Sequence, residues 1–271
     1  MDKINVIKVG GAVVENEASL KELINQFATM PGYKVLVHGG GRSATRIASQ
    51  LGIESRMVGG RRVTDEDMLQ VVTMVYGGLV NKRIVAALQA RGVNAIGLTG
   101  ADMDIIRSHR REPKMVTLDY GTQEMVDFGF VGDVDHANGH RLASLVKAKD
   151  GIQAAVPVVA PLTHDGMGNI LNTNADTMAA TVAKALTEEF DVTLTYCFEK
   201  PGVMADAEDD DSVIPSINTE SYARLKADGI VSGGMIPKLD NAFDSISSGV
   251  KRVVITHFMD IQASMGTVIE K

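Results

Sequence analysis

KVLVHGGGRSATRIASQLG, residues 34–52, runs from a short apolar strand pattern through three consecutive glycines into a helical pattern. Glycine has no Cβ, so a run of it lets backbone N–H groups approach a ligand closely and point at it. A strand that ends in glycines at the mouth of a helix therefore predicts an anion site. It also predicts an open α/β sheet, because ligands of such sheets sit beyond the carboxyl ends of the strands.

The same arrangement recurs upstream, where the strand pattern INVIKV (residues 4–9) passes into Gly10 and Gly11 with Lys8 just ahead of them. Further along, EASLKELINQFATM (17–30) carries apolar residues at helical spacing. A long helical pattern covers 65–91, with Thr64 or Asp65 as its cap and Gly92 as its stop. VNAIGL (93–98), AAVPVVAPL (154–162), DVTLTYCF (191–198) and VKRVVIT (250–256) read as buried strands. Strands separated by helices imply right-handed crossovers and a mainly parallel sheet covered on both faces. Between residues 103 and 133 the pattern changes to DIIRSHRR, KMVTLDYG and FGFVGDVD, short hairpin strands expected beside the main sheet.

Bulk properties narrow the class. The chain has 271 residues, 45% of them apolar, and a formal net charge of −7, which gives no general attraction to nucleic acid or an anionic membrane. No uninterrupted apolar run approaches the ~20 residues of a membrane helix, and MDKINVIKVGG has no signal-peptide core. The single cysteine, Cys197, excludes an internal disulfide and a Cys-rich metal site. The expected compartment is the cytoplasm. AEDDDS (207–212) reads as a solvated acidic loop.

Three later segments add chemistry. LNTNADTMAATVAKAL places Asn172, Asn174 and Asp176 at the mouth of a helix beginning near Ala175, more polar side chains than an N-cap needs. SGGMIPK supplies Ser232, Gly233 and then Lys238 on an amphipathic helix. GGRRVTDEDM sets Arg61 and Arg62 before a helix start, where a guanidinium fork can hold a carboxylate bidentately. The run GGGRSA also satisfies the dinucleotide fingerprint G-x-G-x-x-A, but neither Glu54 nor Asp65 closes an apolar strand downstream. A nicotinamide-dependent oxidoreductase therefore survives only as a runner-up reading, as does a non-catalytic nucleotide sensor. No P-loop motif occurs. His38 reads as a packed strand-end residue. His136 and His140 have metal-ligand spacing but flank a turn with no third ligand near, so no protein-held metal is expected.

Taken in order, KVGG (8–11), VHGGG (37–41), GRRVT (60–64), NTNAD (172–176), KPGV (200–203) and SGGMIPK (232–238) resemble the amino-acid kinase family, and within it the acetylglutamate kinases. Six collinear motifs across nearly the whole chain are specific where one would be weak. The resemblance implies a three-layer α/β/α fold with an open, mostly parallel sheet. It implies an acyl-amino-acid-binding part over about 1–170 and an ATP-binding part over about 171–271. The implied reaction is ATP-dependent phosphorylation of the γ-carboxylate of an N-acylated L-glutamate, acetyl or succinyl, early in arginine biosynthesis, and the first alternative is the reaction of another member of the same family. By resemblance, Lys8 and Lys238 neutralise the transferring phosphoryl group and Asp176 holds the two ammonium groups. Gly10, Gly11, Gly40 and Gly41 line the phosphoryl path, and Arg62 and Asn172 hold the substrate. Glu199, Gly202, Ser232 and Gly233 surround the nucleotide, and Mg²⁺ arrives with ATP. Phe198-Glu199 stands where family members commonly carry Ser-Asp, which leaves the ribose and base pocket undefined. The expected assembly is a homodimer; the chain starts at its first strand, so arginine inhibition through an N-terminal helix is not expected.

Overall fold

The strand patterns assemble into an eight-stranded sheet in the computed structural model, which describes residues 1–117, 121–147, 154–206, 208–262 and 265–271. The strand order is Ser216–Ile217, Thr267–Ile269, Arg252–His257, Asp191–Phe198, Lys3–Val9, Tyr33–His38, Val156–Val159 and Ala95–Leu98. Every neighbouring pair is parallel except Arg252–His257 with Thr267–Ile269. The expectation of a mostly parallel open sheet holds.

Strand periodicity of two divides the side chains between two cores. Ile4, Val6, Val35, Val37, Leu194 and Tyr196 enter one, packed against Leu142, Met178, Val182 and Leu239 of the helices Gly139–Val146, Ala175–Ala185 and Met235–Ser247. Ile7, Val9, Leu36 and Cys197 enter the other, under Leu23, Phe27, Ala48 and Met68 from helices on the opposite face. The result is the three-layer α/β/α sandwich. Alternation also fixes Lys8 on the face of Ile4 and Val6, beneath the helix that carries Asp176.

The first glycine turn opens the short helix Gly11–Glu15, ahead of the expected helix Glu17–Thr29. Lys34, the first residue of the opening stretch, donates through Nζ to the carbonyls of Phe27 (2.8 Å), Ala28 (3.0 Å) and Met30 (2.7 Å). It thereby satisfies the open carbonyls at the C-terminus of Glu17–Thr29.

Asp65 caps the long helix by accepting from Met68 N at 2.8 Å. The expected single helix instead has three parts: α-helical Glu66–Val72, π-helical Thr73–Val80 and α-helical Asn81–Gln89. Gly77 and Gly78, poor helix formers, lie in the widened segment. By length and composition this 24-residue helix could cross a bilayer; here Met68, Val71, Ile84 and Leu88 pack in the second core.

The expected strand 154–162 is split. Val156–Val159 stays in the main sheet, whereas Leu162–His164 joins a four-stranded sheet with Ile170–Asn172, Ile106–Arg110 and Gly132–Ala137. Pro161, which has no N–H for a ladder, stands at the break. Ile106–Arg110 and Gly132–Ala137 pair antiparallel, as the hairpin reading requires. Lys114–Thr117 pairs instead with Gln123–Val126 in a separate hairpin. The end of the KMVTLDYG pattern, 118–120, and Ala207 of the acidic run lie outside the described residues.

Candidate active site

Three strands reach the carboxyl edge of the sheet in register. Val9 lies opposite His38 on one side and Cys197 on the other. Gly10 N then donates to Cys197 O at 3.1 Å, and Gly39 N to Val9 O at 3.2 Å. The two glycine turns consequently face each other: a Cβ on Gly11 would lie 3.9 Å from both Gly40 N and Gly41 N. Gly40 must be glycine for a packing reason as well, since a Cβ there would sit 2.9 Å from the Tyr76 ring. Helix Gly41–Gln50 has no side-chain cap, so its first N–H groups keep their donors for a ligand.

His38 lies fully buried under this turn, with Nδ1 2.8 Å from Gly39 O and Nε2 3.1 Å from Asn81 Nδ2. Asn81 Nδ2 donates to Nε2, so Nδ1 carries the proton and donates to Gly39 O. Burial pushes the His38 pKa down to about 4, so the ring is neutral and structural.

A cleft of about 720 Å³ opens above these turns. Lys8 projects into it with Nζ 2.6 Å from Asp176 Oδ1, an ion pair whose side chains are only 7% and 18% exposed. Asp176 reaches that position because Asn174 caps Ala175–Ala185, accepting from Asp176 N (2.8 Å) and Thr177 N (3.1 Å). Lys238 arrives from the first turns of Met235–Ser247. Burial pushes its pKa down, with Asp176 opposing and Lys8 adding to the effect. Among the described residues only Lys8 is ion-paired with Asp176, while Lys238 feels the charges of both from beyond ion-pair distance.

The other end of the cleft is built from guanidinium groups. Arg62 is 9% exposed; its Nη2 donates to Gly41 O (2.8 Å) and Thr45 Oγ1 (2.9 Å), and its Nη1 donates to Ser55 Oγ. The fork expected to face a substrate is therefore tied to the glycine turn itself. Asn172 Nδ2 donates to Thr64 Oγ1 at 2.9 Å, joining the NTNAD segment to the RRVT segment. Arg111 binds Asp133 through Nε at 3.0 Å and through Nη2, and this pairing holds the Asp133 carboxyl below its usual range. Arg61 beside them makes no hydrogen bond or ion pair among the described residues, and burial together with Arg111 pushes its pKa down.

Of the residues expected from sequence, Lys8, Gly10, Gly11, Gly40, Gly41, Arg62, Asn172, Asp176, Glu199, Gly202 and Lys238 all line this one cleft. Ser232 and Gly233 do not; they are exposed in the turn before Met235–Ser247, where Gly233 has φ +53°. Gly202 has a structural constraint, since a Cβ there would lie 2.8 Å from Thr267 Oγ1. Tyr76, Arg111, Asp133 and Phe198 also line the cleft without having been singled out as site residues. Among the described residues, no group of three or more His, Cys, Asp or Glu side chains could hold a metal ion.

Seven basic side chains and three carboxylates line the cleft among the described residues, in a chain of net charge −7. Such a surface accepts a ligand carrying several negative charges. The family model described as "Amino acid kinase family" matches residues 3–257. A Bacteroides thetaiotaomicron protein named acetylglutamate kinase is 59% identical over 270 residues, covering 100% of this chain and 99% of its own. The namesake from Methanopyrus kandleri is 39% identical over 98% of this chain and 100% of its own length. Among solved structures, smu.665 from Streptococcus mutans superimposes with a TM-score of 0.75 at 26% identity, covering 98% of each chain. Giardia carbamate kinase shares the fold, with a TM-score of 0.66 at 15% identity over 100% of this chain and 99% of its own. The chain belongs to the amino acid kinase family, with acetylglutamate kinases as its near relatives.

Proposed function

We propose that this enzyme transfers the γ-phosphoryl group of ATP to the γ-carboxylate of N-acetyl-L-glutamate, the early activating step of arginine biosynthesis. The observation that carries the reading is that Lys8, its partner Asp176 and Lys238 line one cleft with the two facing glycine turns. A carboxylate is already a nucleophile, so the reaction needs no general base; the obstacle is one anion approaching another. Positioning and charge neutralisation supply the catalysis. A γ-carboxylate oxygen attacks the γ-phosphorus, the bond to the bridging oxygen breaks, and its electron pair leaves on ADP. The products are an acyl phosphate and ADP, and no proton is transferred.

In this reading Lys8 and Lys238 offset the charge on the transferring group from opposite sides. Asp176 orients them rather than taking a proton. N–H groups of Gly10, Gly11, Gly40 and Gly41 line the phosphoryl path. Arg62 and Asn172 face the amino-acid end, with Arg62 also bracing the Gly41 turn. Residues up to about 170 form the acyl-amino-acid side and those from 171 the nucleotide side, with Glu199 and Gly202 beside ATP. Mg²⁺ enters as part of the MgATP substrate, held by phosphate oxygens and water. The enzyme works in the cytoplasm as a homodimer. Met74 and Leu79, 54% and 53% exposed on the long helix, support a two-fold contact there.

Arg61 favours a second reading of the acyl group. A cation on the cleft wall that makes no hydrogen bond or ion pair among the described residues, with only the nearby Asp133 charge opposing it, suits an acyl chain that itself ends in a carboxylate, such as succinyl. A coupled ADP-release assay with MgATP and a panel of acylated glutamates tests both readings. Turnover of acetylglutamate supports the first; a preference for the succinyl compound supports the second. No turnover of any acylated glutamate would refute the assignment.

A further inference from the structure

Phe198 ends the strand Asp191–Phe198, at the cleft edge and on the same face as Tyr196. Its ring stacks on Tyr196, with centroids 6.4 Å apart and planes inclined by 4°. It also backs the first glycine turn, since a Cβ on Gly10 would lie 3.4 Å from the Phe198 Cδ1 atom. Lys8 Nζ lies 5.0 Å from the centre of the ring and Lys238 Nζ 4.9 Å from it. Both distances are within the range at which an ammonium is attracted to an aromatic face.

The two lysines are otherwise held unequally. Lys8 has the Asp176 carboxylate at 2.6 Å, whereas the hydrogen bond of Lys238 among the described residues is a 3.5 Å contact to Gly234 O. The ring is therefore the fixed group that Lys8 and Lys238 share besides the Asp176 charge. We propose that Phe198 is a positioning residue that gathers the two ammonium groups at the phosphoryl path through the negative face of its ring. An aromatic ring attracts a cation without neutralising it, so each ammonium keeps its charge for the arriving phosphate oxygens. A carboxylate in the same place would bind the lysines more tightly and add negative charge where the phosphoryl group must come. The proposal rests on the assignment of Lys8 and Lys238 to the transferring group.

The test replaces Phe198 with phenylalanines carrying one, two and three ring fluorines, which keep the shape while draining the ring face of electron density. Phe198→Leu serves as the non-aromatic end point. The expected result is a stepwise fall in kcat along the series, reaching about threefold to tenfold, with a smaller change in KM for MgATP. A flat kcat across the fluorine series overturns the proposal, even if Phe198→Leu is impaired, because the ring would then matter only as packing. Lys8→Ala and Lys238→Ala measured alongside separate the two ideas. Intact turnover in those variants refutes the lysine assignment and the proposal with it; lost turnover with a flat fluorine series refutes the ring alone.

Discussion

The two ends of the cleft are built to different standards. At the end that the proposed function gives to phosphoryl transfer, Lys8, the glycine turns and Phe198 are carried by central parallel strands held in register on both sides. At the far end, Arg61 and Arg62 form a two-residue strand paired only with Met57–Val58, and Arg111 and Asp133 belong to the peripheral hairpin region. The reacting charges must be fixed to fractions of an ångström, which buried strands achieve. The end proposed for the acyl group needs only to recognise a shape and a charge, and short hairpins suffice for that.

If that contrast is right, the largest losses lie at the phosphoryl end. Lys8→Ala and Lys238→Ala should each lower kcat by about 10²–10³-fold, as loss of a preorganised transition-state group does, with smaller changes in KM. Steady-state kinetics with both substrates check this, and an effect confined to KM would remove the distinction between the two ends.

Arg62→Lys comes next. It keeps the charge but loses the fork that reaches Gly41 O and Thr45 together, and should cost about 1–3 kcal/mol in binding acylated glutamate. Calorimetric titration of each substrate should leave MgATP affinity unchanged; equal weakening of both would tie Arg62 to the phosphoryl end instead.

The smaller effects sharpen the comparison. Arg61→Gln should raise KM for succinylglutamate about two- to fivefold and leave that for acetylglutamate unchanged, as expected for an exposed ion pair. The last prediction concerns pH. The proposed role of Lys238 requires its charge, and burial lowers its pKa, so kcat should fall as pH rises through a value below the ordinary 10.5. Lys238→Arg should retain less activity but lose this alkaline limb, and a wild-type rate that stays flat to pH 10.5 would contradict the assigned role.

The central fold was legible because each strand announced itself by β-branched runs and each turn by glycine. Lys8 could be placed for the same reason: it stands one residue before a turn, and strand alternation decides its face. Asp176 and Asn172 were visible as a polar excess at a helix mouth. Their separate tasks, one pairing with Lys8 and the other bonding Thr64 across 108 positions, were not. Tyr76 stayed hidden because its place depends on a π-helical register that no 3.6-residue pattern encodes. Arg111 and Asp133 stayed hidden because a pair 22 residues apart is joined only once the peripheral strands register. Ser232 and Gly233, expected beside the nucleotide, stand exposed in the turn before Met235–Ser247 and outside the cleft lining, a placement the motif alone does not reveal.

The imbalance of charge around the cleft also bears on how substrates arrive. A chain of net charge −7 repels polyanions at long range, yet its cleft gathers seven cations against three carboxylates among the described residues. At physiological salt the repulsion from the outer surface fades within about 8 Å, while the concave wall still focuses its field on the approaching phosphates. Under the proposed function, encounter with ATP is therefore expected to follow local rather than overall charge. Moderate salt should first relieve the surface repulsion, and only higher salt should weaken the attraction within, so association would be fastest at an intermediate ionic strength.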